Sequence, residues 1–379
     1  MKKLCIALVL LLVFCACGKT QVEIPPEEPE SIVPESSESS ESGSSPEREE
    51  KIPSTAAKID KELHKKLGET RVSGLRFLNG NKLYLVSFDR KDMTEPSEET
   101  NGGFLMYLHE YDYSNGTAEK IYTGRGFFDH SHFYDVHFES EDSVSVIMRN
   151  TILEINKGEI EKEVIFDDDL FNGGRHSLSS GVLACYCDEF PNSVVLHDFI
   201  NEKTFPVYTS ESSEELFKSL VISPDGEKIA FLDYFEIVCC SSKGEILFRT
   251  EFIDENAEIY GDYYIEWLSD EKILFISENE NDNITLCHIY NMNGEIEKTV
   301  KLSFVVFSKQ YDLAHSYPFG IFSSVTDGKT KIYTVDFEKG TEKLIHETYL
   351  TPDSMDLSDD GKTAFWIEYN DLYVLETGM

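Results

Sequence analysis

The chain has 379 residues, with 71 Asp and Glu against 34 Lys and Arg, and its formal net charge is −37. Because such a charge repels phosphate backbones, the composition excludes nucleic-acid binding. Hydrophobic residues make up 40% of the chain and aromatic residues 12%, which is enough for a core and excludes a wholly disordered protein. The length suits two average domains or one large all-β domain.

The N-terminus has the pattern of an export signal. A basic pair, Lys2-Lys3, precedes an uncharged apolar run from Leu4 to Ala16, which is shorter than the ~20 residues that cross a bilayer. The run ends in Phe14-Cys15-Ala16-Cys17-Gly18, which resembles a bacterial lipobox, with Phe where Leu is usual. The resemblance implies that residues 1–16 are a lipoprotein signal peptide and that Cys17 carries the acyl (palmitate-type) chains. Cys15 is a competing lipidation site, and an ordinary secretory signal is the alternative interpretation.

Residues 17–57 have the composition of a tether. They are rich in Glu, Ser and Pro, as in the run Glu35-Ser36-Ser37-Glu38-Ser39-Ser40-Glu41, and such a segment has little to bury. Like charges repel and extend the chain, so we expect a disordered spacer between the lipid and a folded domain at residues 58–379. The predicted location is the extracytoplasmic face of the cell membrane, where the acyl chains overcome the electrostatic repulsion.

From residue 58 onward, short apolar runs alternate with turn signals, which predicts an antiparallel all-β domain. The clearest turn is Ser223-Pro224-Asp225-Gly226, which lies between two strand-like runs, and Ser358-Asp359-Asp360-Gly361 repeats it closely. A related run centres on Ser269, 46 residues after Ser223. A period of about 40–46 residues with four strands per repeat is typical of a β-propeller.

The repeats number seven, so the predicted fold is a propeller of seven four-stranded blades. They lie near residues 72–124, 132–166, 175–210, 216–252, 259–303, 311–349 and 353–379. The last repeat has three strands, and we expect the segment around Asp60 to Glu69 to supply the fourth and close the ring. Six or eight blades are the alternatives.

The segments Ser223–Phe231 and Ser358–Phe365 resemble the WD40-like (PD40-type) repeat of the TolB-type propeller family. The same repeat recurs in the propeller domain of prolyl oligopeptidases. The resemblance implies a propeller over residues ~72–379 and a role as an envelope scaffold or ligand sensor. Its bearing on function is weak, because propellers host many unrelated activities.

Motifs of several enzyme classes are absent from the sequence. Gly-x-Ser-x-Gly, His-Glu-x-x-His and Gly-x-x-x-x-Gly-Lys do not occur, which counts against a serine hydrolase, a metalloprotease and a P-loop protein. The densest metal-capable group is formed by His130, His132, Asp135 and His137. His130 and His132 would share one face of a strand, a spacing that suits Zn²⁺ or Cu²⁺. A polar loop is the competing interpretation. Asp167-Asp168-Asp169 and the stretch from Glu278 to Asn283 offer oxygen ligands for Ca²⁺, or are solvated loops. The sequence thus requires no cofactor, although Ca²⁺ or Zn²⁺ is compatible with it.

Five cysteines remain beyond the signal, each within or beside an apolar run, namely Cys185, Cys187, Cys239, Cys240 and Cys287. We expect buried free thiols, with a disulfide or a zinc site as the alternative.

The leading functional hypothesis is a non-enzymatic, lipid-anchored propeller that binds an envelope protein or peptide through the loops of one face. Its acidity favours a cationic partner. The competing hypothesis is a propeller enzyme of the lyase or hydrolase type, with His and Asp residues in the central channel and with or without a metal. A third is a companion subunit of a transporter or signalling system.

Overall fold

The computed structural model describes the strands of the predicted propeller and most of their short turns. The described residues are 57–68, 70–88, 104–126, 134–138, 143–148, 151–157, 159–165, 176–179, 182–185, 190, 192–198, 203–210, 217–233, 235–252, 263–279, 283–306, 311–314 and 318–379. They lie within the compact unit Glu50–Met379. The predicted signal peptide, Cys17 and nearly all of the predicted tether are outside them.

The strands form seven antiparallel four-stranded sheets, or blades, in a propeller arrangement, which confirms the predicted fold class and blade count. Blade 1 contains β2 (Arg71–Asn79), β3 (Lys82–Phe88), β4 (Phe104–Asp112) and β5 (Thr117–Gly126). Blade 2 contains β6 (Tyr134–Phe138), β7 (Ser143–Met148), β8 (Thr151–Asn156) and β9 (Glu159–Ile165). Blade 3 contains β10 (His176–Ser179), β11 (Val182–Cys185), β12 (Ser193–Asp198) and β13 (Lys203–Thr209).

The next three blades follow the same meander, in which consecutive strands pair with one another. Blade 4 contains β14 (Phe217–Ile222), β15 (Lys228–Asp233), β16 (Glu236–Ser241) and β17 (Ile246–Glu251). Blade 5 contains β18 (Tyr263–Ser269), β19 (Lys272–Asn279), β20 (Ile284–Tyr290) and β21 (Ile296–Leu302). Blade 6 contains β22 (Tyr311–Leu313), β23 (Phe319–Thr326), β24 (Lys329–Asp336) and β25 (Thr341–Thr348).

Blade 7 closes the ring by joining the two ends of the folded region. It contains β26 (Ser354–Leu357), β27 (Thr363–Glu368) and β28 (Asp371–Glu376), and its outer strand is β1 (Lys58–Asp60), antiparallel to β28. The strand that closes the ring therefore ends where the expected segment, around Asp60 to Glu69, begins. The rest of the expected segment includes a short helix, α1 (Leu63–Lys66). It is helical because Leu63 and Leu67 stand one helical turn apart and are both buried between blades 7 and 1.

The core is divided among the interfaces between neighbouring blades. Every apolar cluster that the structure describes contains side chains from two successive blades, as where Phe231 of blade 4 packs with Leu196 of blade 3. The middle strands are consequently buried on both faces, as in β15, where the run from Ile229 to Asp233 is buried throughout. Outer strands bury only one face, as in β17, where the buried Phe248 lies between the exposed Leu247 and Arg249. The division of the core among blade interfaces explains why the middle strands have continuous apolar sequences.

Two features recur from blade to blade. The ladder between the third and fourth strands has a register shift in each of blades 1 to 6, and such bulges increase the twist of a sheet. Inner strands are also joined by serine side chains. The amide of Leu75 donates to Ser354 Oγ of blade 7 at 3.1 Å, and the amide of Ile265 donates to Ser219 Oγ of blade 4 at the same distance.

Among the described residues, no helix is both long enough and apolar enough to cross a membrane.

Candidate functional site

Each blade has connections at two opposite ends of its strands. The turns that join its first strand to its second, and its third to its fourth, lie at one end, which we call the turn face. The turns between its second and third strands, and the connections to the next blade, lie at the other end, which we call the loop face. The turn-face connections of blades 1, 4, 5 and 7 are described, whereas much of the loop face lies outside the described residues.

The first of the two sharp repeat motifs forms a tight turn on the turn face of blade 4. The Ser223 amide donates to the Lys228 carbonyl at 2.8 Å, and the Gly226 amide donates to the Ser223 carbonyl at 2.8 Å. The Ser223 hydroxyl donates to Asp225 Oδ1 at 2.5 Å, and Lys228 Nζ donates to Asp225 Oδ2 at 2.9 Å. Gly226 has a φ of 71°, which a glycine adopts without strain. Pro224 stands second in this turn, and all four motif residues thus serve its geometry.

The second motif forms the same turn in blade 7. The Ser358 amide donates to the Thr363 carbonyl at 2.9 Å, and the Gly361 amide donates to the Ser358 carbonyl at 2.8 Å. The Ser358 hydroxyl donates to Asp360 Oδ1 at 2.9 Å, and Gly361 has a φ of 67°. The residue in the proline position is Asp359, which places an additional carboxylate on this turn.

An open cleft lies beside that turn, where blades 7 and 1 meet on the turn face. Its volume is about 560 Å³, within the usual range of ligand sites. Its walls are the turns between the first and second strands of blades 7 and 1, the β4–β5 turn of blade 1 and the end of β28. The lining side chains that carry charge or an exposed polar group are Asn79, Tyr113, Asp359, Asp360, Lys362 and Glu376.

Carboxylates outnumber cations in this cleft. Lys362 Nζ lies 2.7 Å from Asp360 Oδ2 and neutralises it. Asp359 and Glu376 form no ion pair with any other residue that the structure describes. Partial burial and the neighbouring charge of Asp360 raise the pKa of Asp359 above its ordinary value. A bound cation would oppose both effects, because it favours the charged form of the carboxyl.

An aromatic wall completes the cleft. The hydroxyl of Tyr113 donates to the Gly80 carbonyl at 3.0 Å, and its ring centroid lies 5.0 Å from that of Phe365. Lys58 Nζ of the closing strand donates to the Tyr113 carbonyl at 3.0 Å, which ties the cleft to ring closure. An aromatic ring beside unpaired carboxylates is the chemistry that binds ammonium and guanidinium groups.

A second charged group lies in the central channel. Arg76 of β2 forms an ion pair with Asp312 of β22, although blade 7 separates blades 1 and 6. Inner strands of blades that are not neighbours face each other across the channel, so the pair lies there. Asp356 of β26 lies between them, with its Oδ1 3.9 Å from the Arg76 guanidinium. One arginine and two carboxylates therefore link three successive blades.

Asp356 is completely buried and fully bonded. Its Oδ2 accepts the Phe77 amide of blade 1 at 2.5 Å, and its Oδ1 accepts the Leu357 amide at 2.7 Å. Burial, together with the charge of Asp312, raises the pKa of Asp356 well above its usual range, while Arg76 opposes the shift. Since these carboxylate oxygens already have partners, the arrangement favours a structural tie over a ligand site.

Blade 5 joins the same set of inner-strand contacts. The hydroxyl of Tyr311, on β22, donates to Glu266 Oε1, on β18, at 3.0 Å. Burial and the charge of Glu266 raise the pKa of Tyr311 well above its ordinary value, so the phenol stays protonated and donates.

The candidate metal ligands are only partly described. His130 and His132 lie outside the described residues. Asp135 and His137 lie on β6, opposite Ile147 and Ser145 of β7, and their side chains are not described. Within the described part of the chain, no three His, Cys, Asp or Glu side chains form a metal-binding group. Asp167-Asp168-Asp169 and residues 280–282 of the other acidic stretch also lie outside that part, so metal binding stays a prediction.

Four of the five cysteines are described, and all four are buried free thiols: Cys185, Cys239, Cys240 and Cys287. Burial raises the pKa of Cys239 and of Cys240 to about 12, so neither is a reactive thiolate at neutral pH. Cys187 lies outside the described residues.

Sequence reasoning missed both the cleft and the channel network. Arg76 and Asp312 are 236 positions apart, and Phe77 and Asp356 are 279 apart, so no local pattern connects them. One signal was available in the sequence, because Arg76, Glu266 and Asp356 each stand between two apolar residues in the first strand of a repeat.

Comparisons with known proteins identify the fold alone. No family model and no curated protein matches the chain. A chain of a solved mitotic checkpoint complex is similar over 95% of this chain and 99% of its own, with a TM-score of 0.51 and 12% identity. An oligogalacturonate lyase solved with manganese is similar over 81% of this chain and 98% of its own, with a TM-score of 0.51 and 10% identity. The chain is therefore a seven-bladed β-propeller whose likeness to these proteins is one of architecture.

Proposed function

We propose that this chain is a binding module, anchored through Cys17 at the extracytoplasmic face of a cell membrane, whose propeller holds a cationic partner in the acidic cleft between blades 7 and 1. The partner is a basic peptide or the basic surface of an envelope protein. The propeller fold is compatible with this role, since one similar structure belongs to a protein complex, whereas the other is a lyase. Fold alone does not separate the two classes, so the proposal depends on the cleft.

The observation that carries the proposal is the pair of carboxylates, Asp359 and Glu376, that line the cleft beside Tyr113 without an ion-pair partner in the described part of the chain. Their charge adds to a net charge of −37, which attracts cations over a longer range and raises their rate of association. The channel carboxylates, by contrast, are bonded to Arg76 and to backbone amides.

Calorimetric titration of the full-length chain in detergent with a hexalysine peptide tests the cleft. We expect the double variant Asp359→Asn, Glu376→Gln to bind the peptide about tenfold more weakly at low salt, because each lost charge contact is worth up to about 1 kcal/mol. The matched control is Glu245→Gln, Glu251→Gln, which removes two exposed carboxylates from blade 4 and should change the affinity less than about twofold.

Equal losses in the two double variants would show that net charge alone attracts the peptide, and would contradict the cleft. Affinity that does not change between 50 and 500 mM salt would contradict an electrostatic mode of binding.

The anchor is tested separately, by Cys17→Ser. We expect the wild-type chain to incorporate a labelled palmitate analogue in a bacterial host and to sediment with membranes. The variant should lose the label and the membrane association together. Cys15→Ser is the control and should retain both, and the reverse result would move the anchor to Cys15.

A further inference from the structure

Two tyrosines are almost fully exposed on the loop face of blades 6 and 7. Tyr349 directly follows β25 and is 78% exposed, and Tyr369 directly follows β27 and is 76% exposed. The residues that precede them are in contact, because the Thr348 hydroxyl donates to Glu368 Oε2 at 3.2 Å. The two tyrosines therefore follow residues that meet at the boundary between blades 6 and 7, on one face of the propeller.

Tyr369 occupies a backbone conformation that its side chain disfavours. The turn between β27 and β28 has positive φ at both central residues, 54° for Tyr369 and 75° for Asn370. Asn, Asp and Gly suit such turns, and a bulky side chain does not. Asn370 also serves the fold, since its Oδ1 accepts the Val72 amide of blade 1 at 3.2 Å.

Tyr369, by contrast, makes no hydrogen bond or ring contact with any residue that the structure describes. Strain that no internal contact offsets indicates that the exposed ring has a use outside the chain.

The charges around the two rings favour a cation. Lys329 Nζ lies 5.6 Å from the centroid of the Tyr349 ring and 2.5 Å from Glu347 Oε1, so one face of this ring already accepts a cation within the chain. Lys329 is neutralised by Glu347. Asp327, in the turn before Lys329, and Asp371, the first residue of β28, form no ion pair with the described residues and add negative charge to this surface.

We propose that Tyr349 and Tyr369 form a docking surface for an arginine side chain in an exposed segment of a partner protein. A guanidinium group is planar, stacks on tyrosine rings and donates to carboxylates such as Asp327 and Asp371, which a compact ammonium does less well. This surface is on the face opposite the acidic cleft and is therefore a separate contact. The inference rests on the proposed function in one respect, namely that the partner carries positive charge.

The test uses the full-length chain in detergent and two peptides that differ only in the cation, acetyl-Gly-Arg-Gly-Arg-Gly-amide and its lysine counterpart. We expect the arginine peptide to bind more tightly than the lysine peptide. Tyr349→Ser and Tyr369→Asn should each weaken arginine-peptide binding about threefold to fivefold, and the double variant about tenfold. Tyr369→Phe keeps the ring and should retain binding.

Folding is controlled within the same set. Asn suits the left-handed backbone at position 369, so Tyr369→Asn should not lower the melting temperature. Phe205→Ser removes a partly exposed ring from the outer strand β13 of blade 3 and should leave the affinity unchanged.

The outcomes separate the two proposals. Unchanged binding in the tyrosine double variant, together with loss in Asp359→Asn, Glu376→Gln, overturns the tyrosine surface and leaves the cleft standing. Loss in the tyrosine variants alone supports the surface, and the cleft is judged by the hexalysine titration. No binding of either peptide to the wild-type chain overturns the tyrosine surface, and hexalysine binding then decides whether the cleft proposal stands. The inference is also overturned if both peptides fail to bind while a neutral oligosaccharide binds and loses its affinity in the tyrosine double variant. The ligand of the surface would then be a sugar and not an arginine side chain.

Discussion

At the scale of single residues, Gly361 shows how a local turn depends on its neighbours. Its φ of 67° is left-handed, and a Cβ atom at this position would overlap the ring of Phe319 in blade 6. Gly328 has a similar φ of 74°, but its surroundings are open. The two glycines therefore share the backbone requirement and differ in the space around it.

We expect Gly361→Ala to lower the free energy of unfolding by about 2–4 kcal/mol, the sum of left-handed strain and overpacking. Gly328→Ala is the matched control and should cost about 1–2 kcal/mol through the backbone alone. Chemical denaturation measures both. Equal losses would mean that the Phe319 ring moves away without cost.

His109 is a buried imidazole on β4 whose Nε2 lies 3.1 Å from Ser87 Oγ. Burial, with a smaller effect of Lys120, lowers its pKa to about 4 from an ordinary value of 6.5. Below pH 6.5 the unfolded chain takes up a proton that the folded chain refuses until about pH 4. The contribution of His109 to stability is thus present above pH 6.5 and is lost as the pH falls through this window.

The measurement is the free energy of unfolding of the wild type and of His109→Gln between pH 7 and pH 4. Since Gln does not titrate, the wild type should lose more stability than the variant across this range. Parallel curves would contradict the lowered pKa, as would an imidazole that titrates near 6.5 in the folded protein by NMR.

At the scale of elements, ring closure depends on a strand of three residues. β1 supplies the outer edge of blade 7, and Asp60 at its end accepts hydrogen bonds from Lys66 Nζ, at 2.5 Å, and from the Tyr111 hydroxyl of blade 1. Burial opposes ionisation of Asp60, but these bonds outweigh it and lower its pKa overall. The strand therefore joins blade 7 to blade 1 through side chains as well as through its ladder.

Deletion of Lys58–Asp60 should expose the edge of β28 and increase amide hydrogen exchange at Leu372–Val374 about tenfold or more, because these residues lose their ladder partner. Deletion of Ser44–Pro46 removes the same number of residues from the predicted tether and should leave exchange unchanged. Equal exchange in the two deletions would show that blade 7 is stable with three strands.

At the scale of the whole molecule, charge repulsion opposes the compact state. The chain still has a net charge of −37 after every Lys and Arg has been counted, including those that form ion pairs at the surface. Salt shortens the screening length from ~30 Å at 0.01 M to ~3 Å at 1 M, which weakens repulsion among distant carboxylates more than attraction within short ion pairs.

We therefore expect the melting temperature to rise between 10 and 500 mM sodium chloride and to level off above that range. Potassium chloride should act in the same way, since the effect depends on ionic strength. A melting temperature that falls with salt would mean that attractive surface pairs dominate the electrostatics.

Much of the fold was predictable because its signals are local. The turn at Ser223–Lys228 is set by a serine, an aspartate and a glycine within six residues, and the alternation of apolar runs and turns predicted seven repeats, with six or eight as the alternatives. The missing fourth strand in the last repeat also predicted a closed ring. The exact closing strand was less clear, because Leu63 and Leu67 have a helical spacing that competes with strand formation.

The sequence by itself carries the acidity, the repeat pattern of the propeller and the pattern of an export signal, since each follows from composition or from residues a few positions apart. Tertiary structure alone decided the cleft and the channel network. Arg76 forms its contacts with Asp312 and Asp356, and Tyr113 and Asp359 line the same cleft, only because closing the ring brings the first blade against the last. Such contacts join residues hundreds of positions apart, where periodicity and turn chemistry carry no information about which side chains will face each other.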